Sequence, residues 1–150
     1  MTVLIVYATL SGHTEELSEM IKERLEKAGL EISVEEAYEA EARQFQEYDL
    51  IILGSYTWGD GDVPDDMMDL YNEIEETDLS GISFAVFGSG DTGYEHFAGA
   101  VDHLEEAVRR KGGILTADSM KADVDADSDE TEELTDRFTE EILAWREKRL

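Results

Sequence analysis

Three hydroxyl residues, Thr9, Ser11 and Thr14, crowd the stretch TLSGHT, which follows an apolar run and precedes a helical pattern. A strand entering a helix through a tight turn aims unpaired N–H groups and the positive end of the helix dipole at one point, which suits a phosphate. Hydroxyls add donors, and Gly12 lets the backbone come close. The stretch has no lysine or arginine, and no Lys-Ser/Thr pair follows its glycine, which argues against nucleoside triphosphate hydrolysis. A phosphate here would be held, not transferred. The plainer reading is that Ser11 or Thr14 only caps the helix.

Residues 55–66, SYTWGDGDVPDD, set Trp58 among Gly, Asp and Pro, where an indole has no strand or helix partner. Either it folds back onto the core or it covers a flat ligand. Gly59 and Gly61 permit positive φ and a peptide that reorients easily. Residues 88–97, GSGDTGYEHF, spell GxGxxG after an apolar run. That pattern belongs to the first βα turn of dinucleotide-binding folds, and Asp91 within it would repel a pyrophosphate. A glycine-rich rim beside a neutral ring, with Tyr94 offering an aromatic face, suits these residues better. A phosphate anchor with Trp58 and Tyr94 either side of a slot fits a phosphorylated tricyclic ring.

These three loops need elements to bring them together. Val3–Ala8, Leu50–Leu53 and Phe84–Phe87 are unbroken apolar runs of the kind central parallel strands show. Residues 31–38 and 114–124 are more polar and predict edge strands. Leu17, Ile21, Leu25 and Ala28 recur with helical spacing, as do Phe97, Val101, Leu104 and Val108, and Leu134, Phe138, Ile142 and Trp145. A further helix begins near Pro64, with Met67, Met68, Tyr71 and Ile74 as its expected buried positions. The alternation predicts one α/β domain over residues 1–150, a doubly wound parallel sheet with helices on both faces. Ligands of such sheets bind beyond the carboxyl ends of the strands, where all three loops should meet.

TLSGHT, TWGD and GDTGYEHFAGAVD, in that order along the chain, closely resemble the phosphate loop and the two ring-flanking loops of the flavodoxins, with His13 where asparagine is usual. The stretch ILTADSMKADV leaves no room for the insertion of long-chain members, so the chain resembles the short-chain group. The resemblance implies five strands in the order 2-1-3-4-5 and noncovalent FMN. It places Thr9, Leu10, Ser11, Gly12, His13 and Thr14 at the phosphate, and Ser55, Tyr56, Thr57, Trp58, Gly59 and Asp60 on one side of the isoalloxazine. Ser89, Gly90, Asp91, Tyr94 and Phe97 fall on the other. It implies a low-potential one-electron carrier rather than an enzyme, passing electrons from a flavodoxin or ferredoxin reductase to accepting enzymes. His96 and His103 read as surface or structural residues.

Charge points the same way. With 38 acidic against 12 basic residues and a net charge of −26, the chain is no nucleic-acid binder. Basic redox proteins are the expected partners, and an acidic solubilising surface is an alternative source of the imbalance. Lys22, Arg24, Lys27, Arg109, Arg110, Lys111, Arg146, Lys148 and Arg149 fall at or near expected helix C-termini, away from the loops. The ligand edge carries Glu15, Glu16, Asp60, Asp62, Asp65, Asp66, Asp91 and Glu95. In water, each carboxylate about 10 Å from a ring gaining negative charge opposes it by roughly 0.4 kcal/mol before screening, which lowers the potential. The absence of cysteine suits a reducing cytoplasm. The six-residue run VLIVYA is too short for a signal peptide or membrane span, so a soluble monomer is expected.

Two other classes share features with this chain. A receiver-type signalling domain shares the sheet order but needs an acidic cluster after the first strand and an Asp ending the third, where this chain has Thr9–Ser11 and Ser55–Thr57. A flavin-dependent quinone reductase would show similar aromatics, with a substrate pocket beside the ring and frequently a dimer.

Overall fold

The computed structural model describes residues 1–149. Strands and helices follow as β1 (Thr2–Ala8), α1 (His13–Lys27), β2 (Glu31–Glu36), β3 (Leu50–Ser55), α2 (Asp65–Glu75) and β4 (Ser83–Gly90), then α3 (Gly99–Arg110), β5 (Ile114–Leu115), β6 (Met120–Asp123) and α4 (Ser128–Arg149). All strand pairs are parallel. Their order is β2-β1-β3-β4-β5, with β6 also on β4.

The apolar runs are continuous because alternate residues serve two cores. Leu4, Val6, Ile51, Leu53, Phe84 and Val86 face one side, against Met67, Leu70 and Ile74 of α2 and Val101, Leu104 and Val108 of α3. Val3, Ile5, Leu50, Ile52, Ala85 and Phe87 face the other, against Leu17, Ile21 and Leu25 of α1 and Phe138 and Ile142 of α4. Each Val, Leu, Ile, Met or Phe side chain among them, fully buried, contributes ~1.5–3 kcal/mol. Trp145 is half-buried against the second core, under the guanidinium of Arg149, 4.9 Å from its ring.

Four details depart from expectation. The edge predicted over 114–124 is two segments: β5 pairs with Ser83 and Phe84, and β6 with Phe87–Gly90. The sheet thus has five positions but six strands. At the break, the Thr116 amide and hydroxyl both donate to the Phe84 carbonyl, at 2.9 and 3.0 Å. On α2 the buried stripe is Met67, Leu70 and Ile74, with Met68 and Tyr71 packed at its flanks. β4 runs through Gly90, past the expected end at Phe87. Between β2 and β3 the chain forms a 3-10 helix, Ala42–Glu47, closed by reciprocal Glu41 and Gln44 capping and buried through Phe45, whose ring meets Phe84 edge-on.

Parallel strands bring the ends of β1, β3 and β4 to one edge, where the three loops emerge. Among the described residues, no helix is long and apolar enough to cross a membrane. One glycine holds the centre of the sheet together. Gly54 pairs with Phe87 across β3 and β4, and a Cβ there would sit 2.1 Å from the Phe87 ring, which also packs on Phe138. The variant Gly54→Ala must displace that ring and should lose about 3 kcal/mol. In urea its midpoint should fall with the slope unchanged; an unaltered midpoint would show that the ring yields freely.

Candidate functional site

The first loop is built around an open helix end. Gly12, at φ 91° and ψ −7°, is the residue before α1, and no side chain caps that helix. The capping explanation of Ser11 and Thr14 therefore falls away. Thr9 Oγ1 instead accepts the Gly12 amide at 3.1 Å and shapes the turn. Thr14 Oγ1 shares a buried 3.1 Å hydrogen bond with Ser89 Oγ at the end of β4, tying the first loop to the third. His13, the first residue of α1, keeps a buried Nε2 without a partner.

The second loop is a closed turn. Trp58 and Asp62 exchange backbone hydrogen bonds, both 2.9 Å, around Gly59 at φ 55° and Gly61 at φ 106°. The turn holds the indole outward, 58% exposed, instead of in the core. It also packs closely against the third loop and the start of α3. A Cβ on Gly61 would lie 2.7 Å from His96 Cβ, and one on Gly99 would lie 2.6 Å from Gly61 Cα. The His96 amide donates to Asp60 Oδ1 at 2.9 Å, and the Ala100 amide to Thr57 Oγ1 at 3.4 Å.

The GxGxxG spelling of the third loop is a consequence of packing. Gly88 and Gly90 are strand residues; a Cβ on the first would meet the Ser55 carbonyl oxygen at 2.3 Å, and one on the second the Ala98 nitrogen at 2.6 Å. Beyond them Asp91 accepts the Gly93 amide at 2.8 Å, and Tyr94 projects, 49% exposed.

A cavity of about 260 Å³ opens between the loops, near the low end of the ~300–1,000 Å³ usual for small-molecule sites. Of the expected site residues, Thr9, Leu10, Ser11, His13, Thr14, Tyr56, Thr57, Trp58, Gly59, Ser89, Gly90, Asp91 and Tyr94 line it. Gly12 stands behind it as the turn residue. Ser55 is buried and donates to the Tyr56 carbonyl at 2.7 Å. Asp60 lies on the outer turn with its carboxylate on the His96 amide, and Phe97 packs against the α2–α3 core. His96, Ala98 and Val124 line the cavity in addition. Only His96 carried a chemical signal, as an imidazole beside the tyrosine of the loop.

Electrostatically the rim is acidic. Carboxylate oxygens of Asp91, Asp123 and Asp125 lie within 4.8 Å of one another. The Asp125 amide, then the Thr92 hydroxyl and the nearby His13 ring hold the Asp123 carboxyl below its ordinary range. Lys121 on β6, the cation nearest the ends of the strands, is engaged by Asp102 of α3 at 2.8 Å.

The flavodoxin family model matches residues 5–138. The chain belongs to the flavodoxin family. It is 47% identical over 133 residues to "Probable flavodoxin 2" of Bacillus subtilis, covering 88% of each chain. Over 130 residues it is 35% identical to a flavodoxin of Maridesulfovibrio salexigens, covering 85% of this chain and 89% of that one. The crystal structure of oxidised Flavodoxin 2 from Bacillus cereus superposes with a TM-score of 0.90 at 38% identity, over 99% of both chains. The family's sheet order is the one observed, and the four residues that separate β5 from β6, 116–119, keep the chain in its short form.

The depressed Asp123 carboxyl makes a pH prediction. A group whose folded pKa lies below its unfolded value stabilises the fold above that unfolded value, near 3.9 for Asp, and loses the contribution as pH falls through the folded one. Denaturation of wild type and Asp123→Asn at pH 7 and at pH 3 should show a smaller acid loss in the variant. Equal losses would mean that the carboxylate does not brace the third loop.

Proposed function

We propose that residues 1–150 form a single FMN-binding domain that serves as a low-potential one-electron carrier between a reductase and acceptor proteins. One observation carries the reading: the uncapped amino end of α1 and two half-exposed aromatic side chains border the same cavity. The donor set suits a phosphate monoester joined to a flat ring. Amides and hydroxyls of residues 9–14 hold the phosphate without a cation, favoured by the helix dipole. Trp58 and Tyr94 would flank the ring, with the backbone at Gly59 and Gly90 available to its edge. Gly12, Ser55, Asp60 and Phe97 act from behind, shaping the loops. Bound FMN supplies the group that accepts and releases single electrons.

Flavodoxins are electron-transfer flavoproteins, not enzymes, and a carrier needs an exposed cofactor edge inside a charged docking surface. Carboxylates around the cavity give this chain such a surface for basic reductases and acceptors, with binding that weakens as salt rises. We further propose that it works as a monomer in a reducing cytoplasm.

Titrating the flavin-free protein with FMN should quench the flavin fluorescence at one equivalent, and Trp58→Ala should weaken the affinity about tenfold. The loaded protein should take up two electrons in separate one-electron waves. Failure to bind FMN, or a single two-electron wave, would contradict the assignment.

A further inference from the structure

His96 is the lining residue whose chemistry the flavodoxin reading leaves unused. Its backbone is fixed twice, by the Asp60 carboxylate on its amide and by Gly61 packed against its Cβ, where one added methyl would come within 2.7 Å. Its side chain is exposed and lines the cavity. A ring nitrogen of His96 and carboxylate oxygens of Asp60 and Glu95 all lie within 4.8 Å of one another. Asp91 of the third loop and the imidazole of His13 line the same cavity. The groups gathered at the His96 ring are carboxylates, and Lys121, the cation on β6, is held by Asp102 of α3 at 2.8 Å.

An imidazole is the one ordinary side chain that changes charge between pH 5 and 8. Two imidazoles line the cavity, His13 and His96; His13 belongs to the loop assigned to the phosphate, which leaves His96, beside Asp60 and Glu95, as the group free to answer an added negative charge with a proton. We propose that His96 is a charge-balancing residue: its imidazole takes up a proton from solvent as the cofactor in the adjoining cavity gains negative charge, coupling the carrier's potential to pH. The inference rests on the reading that FMN occupies this cavity. The sign follows from Coulomb's law: a protonated His96 favours the reduced, anionic cofactor, so the potential becomes less negative as pH falls through the imidazole range. The surrounding carboxylates shift the potential the opposite way, and protonation at His96 cancels part of their effect when the solution acidifies.

The test follows the His96 ring protons by NMR against pH in the FMN-loaded protein, oxidised and fully reduced. The midpoint should rise on reduction by roughly 0.3 to 1.2 pH units, the effect of one charge about 10 Å away between fully wet and half-wet surroundings. Potentials measured from pH 5.5 to 8.5 should show a pH-dependent component that His96→Gln removes. His96→Lys should hold the potential at the less negative level throughout. A merely structural His96 would shift FMN affinity or stability in these variants but leave the pH slope of the potential intact. A wild-type protein that binds FMN, yet shows one His96 midpoint in both redox states or a slope unchanged in His96→Gln, overturns this inference alone. A protein that binds no FMN overturns the flavodoxin reading with it.

Discussion

The site depends on a helix end that the protein leaves open. The first-turn amides of an α-helix have no intrahelical partners, and a serine, threonine, aspartate or asparagine commonly closes them. Here the residue before α1 is a glycine in the left-handed region, no side chain caps the helix, and two hydroxyls flanking the turn are engaged elsewhere. Thr9 accepts the Gly12 amide, and Thr14 bonds Ser89. Donors and dipole therefore face outward beyond the carboxyl end of β1, where, on the proposed reading, a phosphate would take the place of a cap. On that reading, a chain of net charge −26 would need no lysine or arginine in its first loop to hold a phosphate.

The ring side of the site depends on glycine of another kind. Gly61, Gly88, Gly90 and Gly99 each stand where a methyl group would strike backbone or a fixed side chain. The second and third loops and the strands beneath them are packed too closely for side chains. That contact lets Trp58 and Tyr94 project from stiff supports without burying themselves, although exposing a large aromatic side chain to water is unfavourable. Charge completes the arrangement: carboxylates gather at the cavity, and cations stand in the last turns of α1, α3 and α4.

Much of this was legible in the residues. Strands buried on both faces must be apolar at every position, so β1 and β3 announce themselves, as does the first half of β4. The three loops were legible because hydroxyls, an indole and a tyrosine among glycines have few purely structural uses together. What escaped notice depends on tertiary contact. No local preference makes Gly88 and Gly90 strand residues; the nearness of Ser55 and Ala98 does. The break between β5 and β6 comes from Thr116 turning both its donors onto Phe84, and the 3-10 helix from burying Phe45 against Phe84. Leu70 outranks Tyr71 on α2 because the stripe facing the sheet runs through 67, 70 and 74. His96 joins the cavity only because Gly61 draws the second loop against it.

The central claim is that an open helix end and two aromatic faces form one site for one molecule. A crystal structure of the protein with FMN bound tests it most directly. The account predicts the phosphate within hydrogen-bond distance of the amides at the start of α1, and the isoalloxazine between Trp58 and Tyr94. A phosphate bound elsewhere, or a ring that touches neither aromatic side chain, would contradict it.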